Sequence, residues 1–221
     1  MLKKNFWQKK LQSLSISIKN RKDFTYNSYN IEAQLEFNVM SGFFIIRKLI
    51  EHNRLTNKFI ATNIKGSRFQ FLTGKKITPF NDHKWPDFYD FVNKRGAKFN
   101  IPFLCNLFIH NFYFIPSEVF VEESINENFK ELSEEEYSAL CKIHKRKHQA
   151  ILVNSDDTKQ KYLFEIDIDK IAKIFEEVSL MDITKTSIKY NPKMGKYEYL
   201  QSDEDLEMSD ELKKMIEKNQ S

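Results

Sequence analysis

Cysteine is scarce in this chain, which has only Cys105 and Cys141 among its 221 residues. Two thiols are too few for the disulfide framework that stabilises small secreted domains. The amino-terminal residues also lack an apolar stretch long enough for a signal peptide. We therefore expect a cytoplasmic protein.

Long hydrophobic runs and the common catalytic signatures are missing as well. The most apolar window, residues 101–115, contains polar side chains and is shorter than the roughly 20 residues of a membrane-spanning helix. The chain has no phosphate-binding glycine loop, dinucleotide-binding fingerprint, nucleophile elbow or His-Glu-x-x-His motif. These absences disfavour a membrane protein, the common nucleotide hydrolases and the hydrolytic proteases.

What the chain does contain is a large share of aromatic and charged residues. Twenty phenylalanines supply apolar surface for a core, and 30% charged residues supply a solvated exterior, so the composition is that of a globular protein. The net charge of +4 combines a basic amino-terminal region with an acidic carboxy-terminal one. We expect a single globular domain over residues 1–200 and an acidic, loosely held tail over residues 201–221.

Apolar residues recur every three or four positions in several segments, which is typical of amphipathic helices. The pattern predicts helices over residues 3–20, 31–52, 100–111, 133–147 and 168–178. Asn100 and Pro102 begin the third of these, and Ser133 begins the fourth with a capping box. In the second helix, Gly42 is expected to let another backbone or an aromatic ring come close.

Shorter β-prone runs predict hairpins within residues 59–72, 150–168 and 188–199. Asp156 and Asp157 fall in the turn of the second hairpin, and we interpret them as turn residues rather than as a catalytic pair. The expected fold class is α+β, with two or three hairpins around a helical core. The first four predicted helices are expected to form that core.

The helix that begins near Asn100 carries an unusual polar pair. Asn106 and His110 are four residues apart, so both side chains project from one face of an otherwise apolar helix. We expect the pair to be buried, and a buried polar pair needs a reason. The pair forms either a packed hydrogen bond or part of a nucleic-acid-cleaving site, and the residue types alone do not distinguish the two.

The segment Cys105–His110 resembles the hallmark motif of the HEPN superfamily of helical bundles. That motif has an Arg, usually followed by a polar residue, and a His four to six residues further on. Asn106 and His110 match the motif here, and Cys105 occupies the Arg position. Many HEPN proteins are metal-independent ribonucleases, often toxins or antiviral effectors, and others only bind nucleotides or are inactive. The resemblance implies that the helical core could form a HEPN-like bundle, and that His110 acts as an acid or base while Asn106 orients the phosphate.

A second match to the same spacing pairs Arg47 with His52, five residues apart. On a straight helix the two side chains diverge by about 140°, unless the helix ends nearby. Both stay candidates, and Arg47 could approach His110 in three dimensions to supply the positive charge that Cys105 lacks. The alternative is that Arg47 and Glu51 form a surface ion pair and that His110 is a hydrogen-bonded core or rim residue.

A zinc site is one hypothesis for Cys141, His144 and His148. These residues are three and four apart, so a helix would present a thiolate and two imidazoles on one face, and zinc accepts such ligands. A fourth ligand would have to come from elsewhere. The alternative is that Cys141 packs inside while both histidines lie at a solvated helix end, in which case no cofactor is expected.

The densest basic patch consists of Lys142, Lys145, Arg146 and Lys147. These cations could contact nucleic-acid phosphates without reading sequence. The alternative is a solvated face whose positive charge favours a helix carboxyl end.

Two classes of function follow from these observations. The first is a small cytosolic binding or accessory protein that acts through protein contacts, with RNA as a further partner. The second is a HEPN-like, metal-independent ribonuclease or toxin that uses His110, Asn106 and Arg47. The sequence alone ranks the accessory role first. By analogy with the superfamily, either class implies phage defence or toxin–antitoxin regulation.

Overall fold

The structure, a computed structural model, describes residues 4–21, 23–25, 29–127, 133–181, 185–192 and 196–202. These ranges contain both helices and antiparallel strands, so the predicted α+β class is confirmed. Of the predicted acidic tail, residues 203–221 lie outside the described residues, and residues 201 and 202 still belong to a strand.

The predicted helices over residues 3–20, 31–52 and 100–111 are present. The α-helices in the described ranges are α1 (Lys4–Lys19), α2 (Tyr29–Glu51), α3 (Asn57–Ile60), α4 (Ile101–Ile109), α5 (Glu123–Glu127), α6 (Glu134–Ile143) and α7 (Ile168–Leu180). A 3-10 helix covers Asp82–Phe88. Asn100 caps α4 by accepting a hydrogen bond from the Phe103 amide at 2.8 Å, which confirms the predicted start of this helix.

Five strands form one antiparallel sheet, and two more form a separate hairpin. The sheet has the order β2-β1-β5-β4-β3, built from β1 (Asn63–Gln70), β2 (Arg95–Asn100), β3 (Asn111–Phe120), β4 (Arg146–Ser155) and β5 (Tyr162–Asp167). The hairpin pairs β6 (Lys185–Asn191) with β7 (Lys196–Ser202). The predicted hairpins near residues 150–168 and 188–199 are therefore confirmed.

The predicted hairpin within residues 59–72 is wrong. Residues 63–70 form the single strand β1, which pairs with β2 on one side and β5 on the other. Gly66 was expected in a turn but lies inside this strand. A Cβ there would collide with the Glu165 carbonyl oxygen and the Phe99 ring, so the glycine permits a close approach within the sheet.

The main core lies between four helices and one face of the sheet. Phe43 of α2 stacks on Phe108 of α4 with ring centroids 4.6 Å apart, and Phe43 meets Phe175 of α7 edge-on. Gly42 faces the Phe175 ring, which leaves no room for a Cβ, so the predicted close approach of an aromatic ring is confirmed. On the other face of the sheet, residues 71–91 cover a smaller apolar cluster.

The fourth core helix is α7, which joins α1, α2 and α4, and not the Ser133 helix as predicted. The physical reason is that α7 buries a full apolar stripe, comprising Ile168, Ile171, Ala172, Ile174, Phe175 and Val178. The predicted capping box of Ser133 and Glu136 is present in α6, but that helix ends at Ile143 rather than near residue 147. Pairing of β4 with β3 and with Phe24 draws the following residues into a strand.

Membrane insertion has no support from the helices that the structure describes. None of them combines the length and the apolar character needed to reach across a lipid bilayer.

Candidate functional site

Arg47, Asn106 and His110 lie together where the end of α2 meets the end of α4. Arg47 is one turn beyond Phe43, whose ring stacks on Phe108 of α4. Phe108 in turn lies midway between Asn106 and His110 along α4, and His110 is the residue that ends this helix. The aromatic stack in the core therefore positions the three polar side chains at the surface above it.

The Arg47 guanidinium is the centre of the group. Its Nη1 donates a hydrogen bond to Asn106 Oδ1 at 3.2 Å and lies 3.4 Å from His110 Nε2. Arg47 and His110 thus come within contact distance, as the sequence analysis allowed. Asn106 and His110 are exposed, however, so the expectation of a buried pair is wrong. The apolar face of α4 turns Leu104 and Phe108 into the core and leaves the polar pair outside.

Glu51 holds the guanidinium from the other side. Glu51 Oε1 accepts a hydrogen bond from Arg47 Nε at 3.1 Å, and Oε2 accepts one from Lys48 Nζ at 2.7 Å. These hydrogen bonds, that of Lys48 first, lower the pKa of Glu51. The surface ion pair considered as the alternative is therefore present, and it uses a different guanidinium nitrogen from the one that faces Asn106 and His110.

A cleft of about 250 Å³ opens beside this group, and we call it the Arg47 cleft. Its walls are Arg47, Asn106, His110, Ser155, Asp156 and Asp157. Ser155, Asp156 and Asp157 were not predicted as site residues, although Asp156 and Asp157 were correctly predicted to lie in a turn. The strand register brings these three residues into the cleft. Strand β3 begins directly after His110 and pairs Asn111 with Ser155, so the β4–β5 turn lies at the end of α4.

A buried polar network supports that turn from beneath. Asn154, which is fully buried, donates to the Tyr89 hydroxyl at 2.7 Å and accepts from the Tyr113 amide at 3.2 Å. The Tyr89 hydroxyl donates to the Lys159 carbonyl at 2.6 Å. Burial raises the pKa of Tyr89, so its hydroxyl stays protonated and remains a donor. Each member has a partner, and the network holds one wall of the cleft rigidly.

Two other charged or polarisable groups complete the local electrostatics. Cys105, at the Arg position of the HEPN motif, is 1% exposed, and burial raises the pKa of its thiol to about 12. The thiol is therefore neutral at neutral pH, and the positive charge beside His110 comes from Arg47 on the neighbouring helix. Asp156 in the cleft wall pairs with Lys159 at 2.7 Å.

His52 does not line the Arg47 cleft. Arg47 and His52 could share a site only if α2 ended near them. The helix does end there, since its last residue is Glu51 and Asn53 has a positive φ of 53°. The His52 side chain is exposed just past this helix end. Of the two histidines considered, only His110 is in contact with Arg47 in the cleft.

Cys141, His144 and His148 do not share a helical face, so that part of the zinc hypothesis is wrong. Cys141 belongs to α6, His144 ends it, and His148 lies on β4. His144 Nδ1 is 3.1 Å from Glu122, whereas His148 faces Glu118 at 3.7 Å. Burial, with Arg21 and Arg146 nearby, lowers the pKa of His148 to about 4. Its imidazole is therefore neutral at neutral pH.

The predicted basic patch is divided by the start of β4. Lys142, Lys145 and Lys147 are exposed, so their charges face solvent. Arg146 turns inward instead, and its guanidinium contacts Glu118 and donates to the Thr25 carbonyl at 2.9 Å. A nucleic-acid contact by this patch would rest on the three lysines and stays a prediction.

An apolar groove of about 750 Å³ lies on the outer side of α1 and α2, and we call it the aromatic groove. Phe6, Phe37 and Phe44 are 61%, 60% and 46% exposed along it. Its other lining residues are Trp7, Lys10, Met40, Ser41, Ile45 and Ile109. Grouped exposure of large apolar side chains is typical of a surface that binds another molecule.

Comparison with known proteins adds no relative to this description. A scan against protein-family models, a search of curated proteins and a search of solved structures each found no match to the chain.

Proposed function

We propose that this protein is a ribonuclease that cleaves RNA at the Arg47 cleft without a metal ion. In the proposed reaction the ribose 2′-oxygen attacks the adjacent phosphorus, and the bond from phosphorus to the 5′-oxygen of the next nucleotide breaks. The products are a 2′,3′-cyclic phosphate and a free 5′-hydroxyl. One proton leaves the 2′-hydroxyl and one reaches the 5′-oxygen, so the reaction needs both a base and an acid.

Each residue of the cleft has a role that suits its chemistry. His110 is the acid or base, because an imidazole nitrogen can donate or accept a proton. Asn106 orients the phosphate through its amide, and Arg47 stabilises the charge that develops on the phosphoryl oxygens. Asp157, exposed in the same cleft, is the candidate for the second proton transfer. This assignment supplies an acid, a base and a cation from one cleft.

The observation that carries the proposal is the contact of Arg47 with both Asn106 and His110. Arg47 is separated from them by 59 and 63 positions of sequence. The HEPN-like motif lacks its arginine within the segment, and a guanidinium from another helix occupies the space beside the matching His. This convergence favours the catalytic candidate over the accessory role that the sequence alone ranked first.

The test is cleavage of mixed RNA in the presence of a chelator by the full-length protein and by His110→Ala. We expect the wild type to yield fragments that end in 2′,3′-cyclic phosphate, and His110→Ala to be slower by about 10² or more. Equal cleavage by the two proteins, or no cleavage by the wild type at high concentration, would remove the proposal.

His83→Ala and His52→Ala are the matched controls for this assay. Both histidines are exposed and lie outside the Arg47 cleft, so each variant loses an imidazole of similar accessibility. We expect both to cleave RNA like the wild type. A loss of cleavage in His52→Ala alone would transfer the acid–base role to that residue.

A second candidate function, a binding or accessory role through protein contacts, is favoured by the aromatic groove. Three exposed phenylalanines on one face present apolar surface that a partner protein would bury. In this candidate the protein does not turn over RNA and its activity lies in the complex. Phage defence or toxin–antitoxin regulation remains the proposed setting for either candidate, by analogy with the HEPN superfamily.

The accessory role predicts a partner that depends on the groove. Pull-down with the wild type and with Phe37→Ser tests it, and Phe80→Ser is the matched control because Phe80 is 91% exposed outside the groove. We expect the partner to be lost only with Phe37→Ser. Recovery of the same proteins with all three baits would contradict a groove-mediated contact.

A further inference from the structure

His148 is a buried side chain whose Nε2 lacks a hydrogen-bond partner in the part of the chain that the structure describes. The residue is 2% exposed, and its Nε2 makes no hydrogen bond with the described residues. Leaving a buried polar atom unsatisfied costs about 1–3 kcal/mol. Such an atom therefore favours a ligand beyond those that the described residues supply.

Two carboxylates lie next to this nitrogen. Glu118 of β3 has its Oε1 3.7 Å from His148 Nε2, and Glu32 belongs to the first turn of α2. One ligand atom from each of Glu32, Glu118 and His148 lies within 4.8 Å of the other two. Around one ion, ligand atoms at about 2.0–2.2 Å lie roughly 3.3–3.5 Å apart, so small side-chain movements would close the site.

We propose that Glu32, Glu118 and His148 bind a single divalent transition-metal ion of the Zn²⁺ or Mn²⁺ class. Imidazole nitrogen suits zinc and other transition ions, and carboxylate oxygens are ligands for zinc and manganese alike. The three residues come from a helix and two adjacent strands, all of which the fold holds in place. A mixed set of one imidazole and two carboxylates disfavours calcium and magnesium, which prefer oxygen ligands alone.

Three protein ligands leave at least one coordination position for water or a further ligand. A cavity of about 530 Å³ lies beside His148, lined on its other sides by Ile18, Phe24, Gln34, Leu35 and Asn38 among others. His148 is part of this wall, so the cavity has room for the additional ligand. We call the three ligands and this cavity the His148 pocket.

Both neighbouring arginines have carboxylate partners. Arg146 contacts Glu118 through Oε2, while Glu118 Oε1 faces His148. Arg21 pairs with Asp169 at 2.8 Å and donates to the His148 carbonyl at 2.8 Å. Arg146 therefore acts as an orienting partner of a metal-binding carboxylate, as is common around metal ligands.

The His148 pocket is separate from the Arg47 cleft. Glu32 and Arg47 are 15 positions apart on α2, which corresponds to about 22 Å along the helix axis. The two sites share no lining residue. The metal proposal is therefore tested independently of RNA cleavage, because the cleavage assay is carried out in a chelator.

Metal content of the full-length chain, purified without a His tag and stripped with a chelator, is the direct test. The protein is dialysed against Zn²⁺ or Mn²⁺, and the bound metal is measured by elemental analysis. We expect about one equivalent per chain of at least one of these ions and a higher Tm in its presence. Less than about a tenth of an equivalent of both ions would overturn the proposal.

Variants locate the ion. We expect Glu32→Gln and His148→Ala each to weaken binding by at least about tenfold, since even outer-shell changes cost 10–100-fold. Glu36→Gln, one turn further along α2, is the matched control and should bind like the wild type. Glu32 is half-buried near a helix end, so Glu32→Gln decides the question even if His148→Ala does not fold. Wild-type affinity in Glu32→Gln would overturn the assignment.

Cobalt distinguishes this site from the earlier hypothesis built on Cys141 and His144. Co²⁺ bound by one imidazole and two carboxylates shows ligand-field absorption without a thiolate charge-transfer band. Cys141→Ser and His144→Ala should bind the ion as the wild type does. A thiolate band that disappears in Cys141→Ser would place the ion at Cys141 and overturn the proposal.

Discussion

The Arg47 cleft and the His148 pocket differ in how the protein satisfies their polar groups. Arg47 is only half-buried and has Glu51, Asn106 and His110 as partners, so its arrangement costs little folding free energy. His148 is buried, and its Nε2 has no hydrogen-bond partner among the described residues. The polar groups of the first site have partners within the protein, whereas the second contains a buried nitrogen that a ligand would satisfy.

This difference determines which measurement is informative at each site. Ligand binding to the His148 pocket should change the stability of the fold, because it satisfies a buried atom. Substitutions in the Arg47 cleft should change the rate of RNA cleavage with little change in the free energy of unfolding, because exposed ion pairs contribute only about 0–1 kcal/mol to stability. Four predictions test the first part of this contrast, in the Arg47 cleft and the residues that support it, from the largest expected effect to the smallest.

Phe108→Ala should destabilise the fold by about 3–5 kcal/mol, because it leaves a cavity where a fully buried ring stacks on Phe43. The same change loosens the end of α4, so RNA cleavage should fall even in the folded protein. Chemical denaturation measures the free energy of unfolding, and Phe80→Ala serves as the exposed control. A loss below about 1 kcal/mol would contradict the role assigned to the aromatic stack.

Arg47→Ala should slow RNA cleavage by about 10²–10³, because it removes the cation beside the reacting phosphate. Arg47→Lys should fall between this variant and the wild type, since it keeps the charge but loses the guanidinium geometry. Initial rates with a defined RNA measure both. Arg95→Ala, an exposed arginine at the far edge of the sheet, is the control. Undiminished cleavage by Arg47→Ala would leave the cleft without its proposed function.

Asn154→Ala should destabilise the fold by about 1–3 kcal/mol, because it removes the partner of buried groups on Tyr89 and Tyr113. The β4–β5 turn would lose its support, so cleavage should decline as well. Thermal and chemical unfolding measure the change, with Gln160→Ala in the same turn as an exposed control. Equal stability of the two variants would show that the network does not hold the turn.

Glu51→Gln should have the smallest effect, a decline in RNA cleavage of a few-fold, with the unfolding free energy nearly unchanged because the carboxylate is exposed. The glutamine amide can still contact Arg47, but it lacks the negative charge that orients the guanidinium. Glu176→Gln, which removes a comparable surface pair with Lys19, is the control. Faster cleavage by Glu51→Gln would reverse the interpretation and make Glu51 a restraint on Arg47.

The helices near the first site were predictable because their signals are local. The stripe of α2, the cap at Asn100 and the four-residue spacing of Asn106 and His110 each depend on neighbouring residues. The wall of the cleft was not predictable, because it depends on the register of β3 against β4. The same limit explains the error at Gly66, which resembles a turn residue locally but lies within a strand.

The His148 pocket shows the limit of local spacing even more clearly. Cys141, His144 and His148 have helical spacing, yet β4 pairing turns His148 away from the helix and toward Glu118. Glu32, the third member, is 116 positions from His148 and carries no signal of its own. Only residues that are close in the chain reveal their contacts through spacing.

The amino-acid sequence by itself determined the α+β class, most of the helices and two hairpins, because helix caps, turns and apolar periodicity act over a few residues. The tertiary structure decided which side chains meet: Arg47 with His110, and His148 with two glutamates. Those contacts depend on the burial of apolar faces and on strand register. Both are set by the free energy of the whole fold rather than by any one segment.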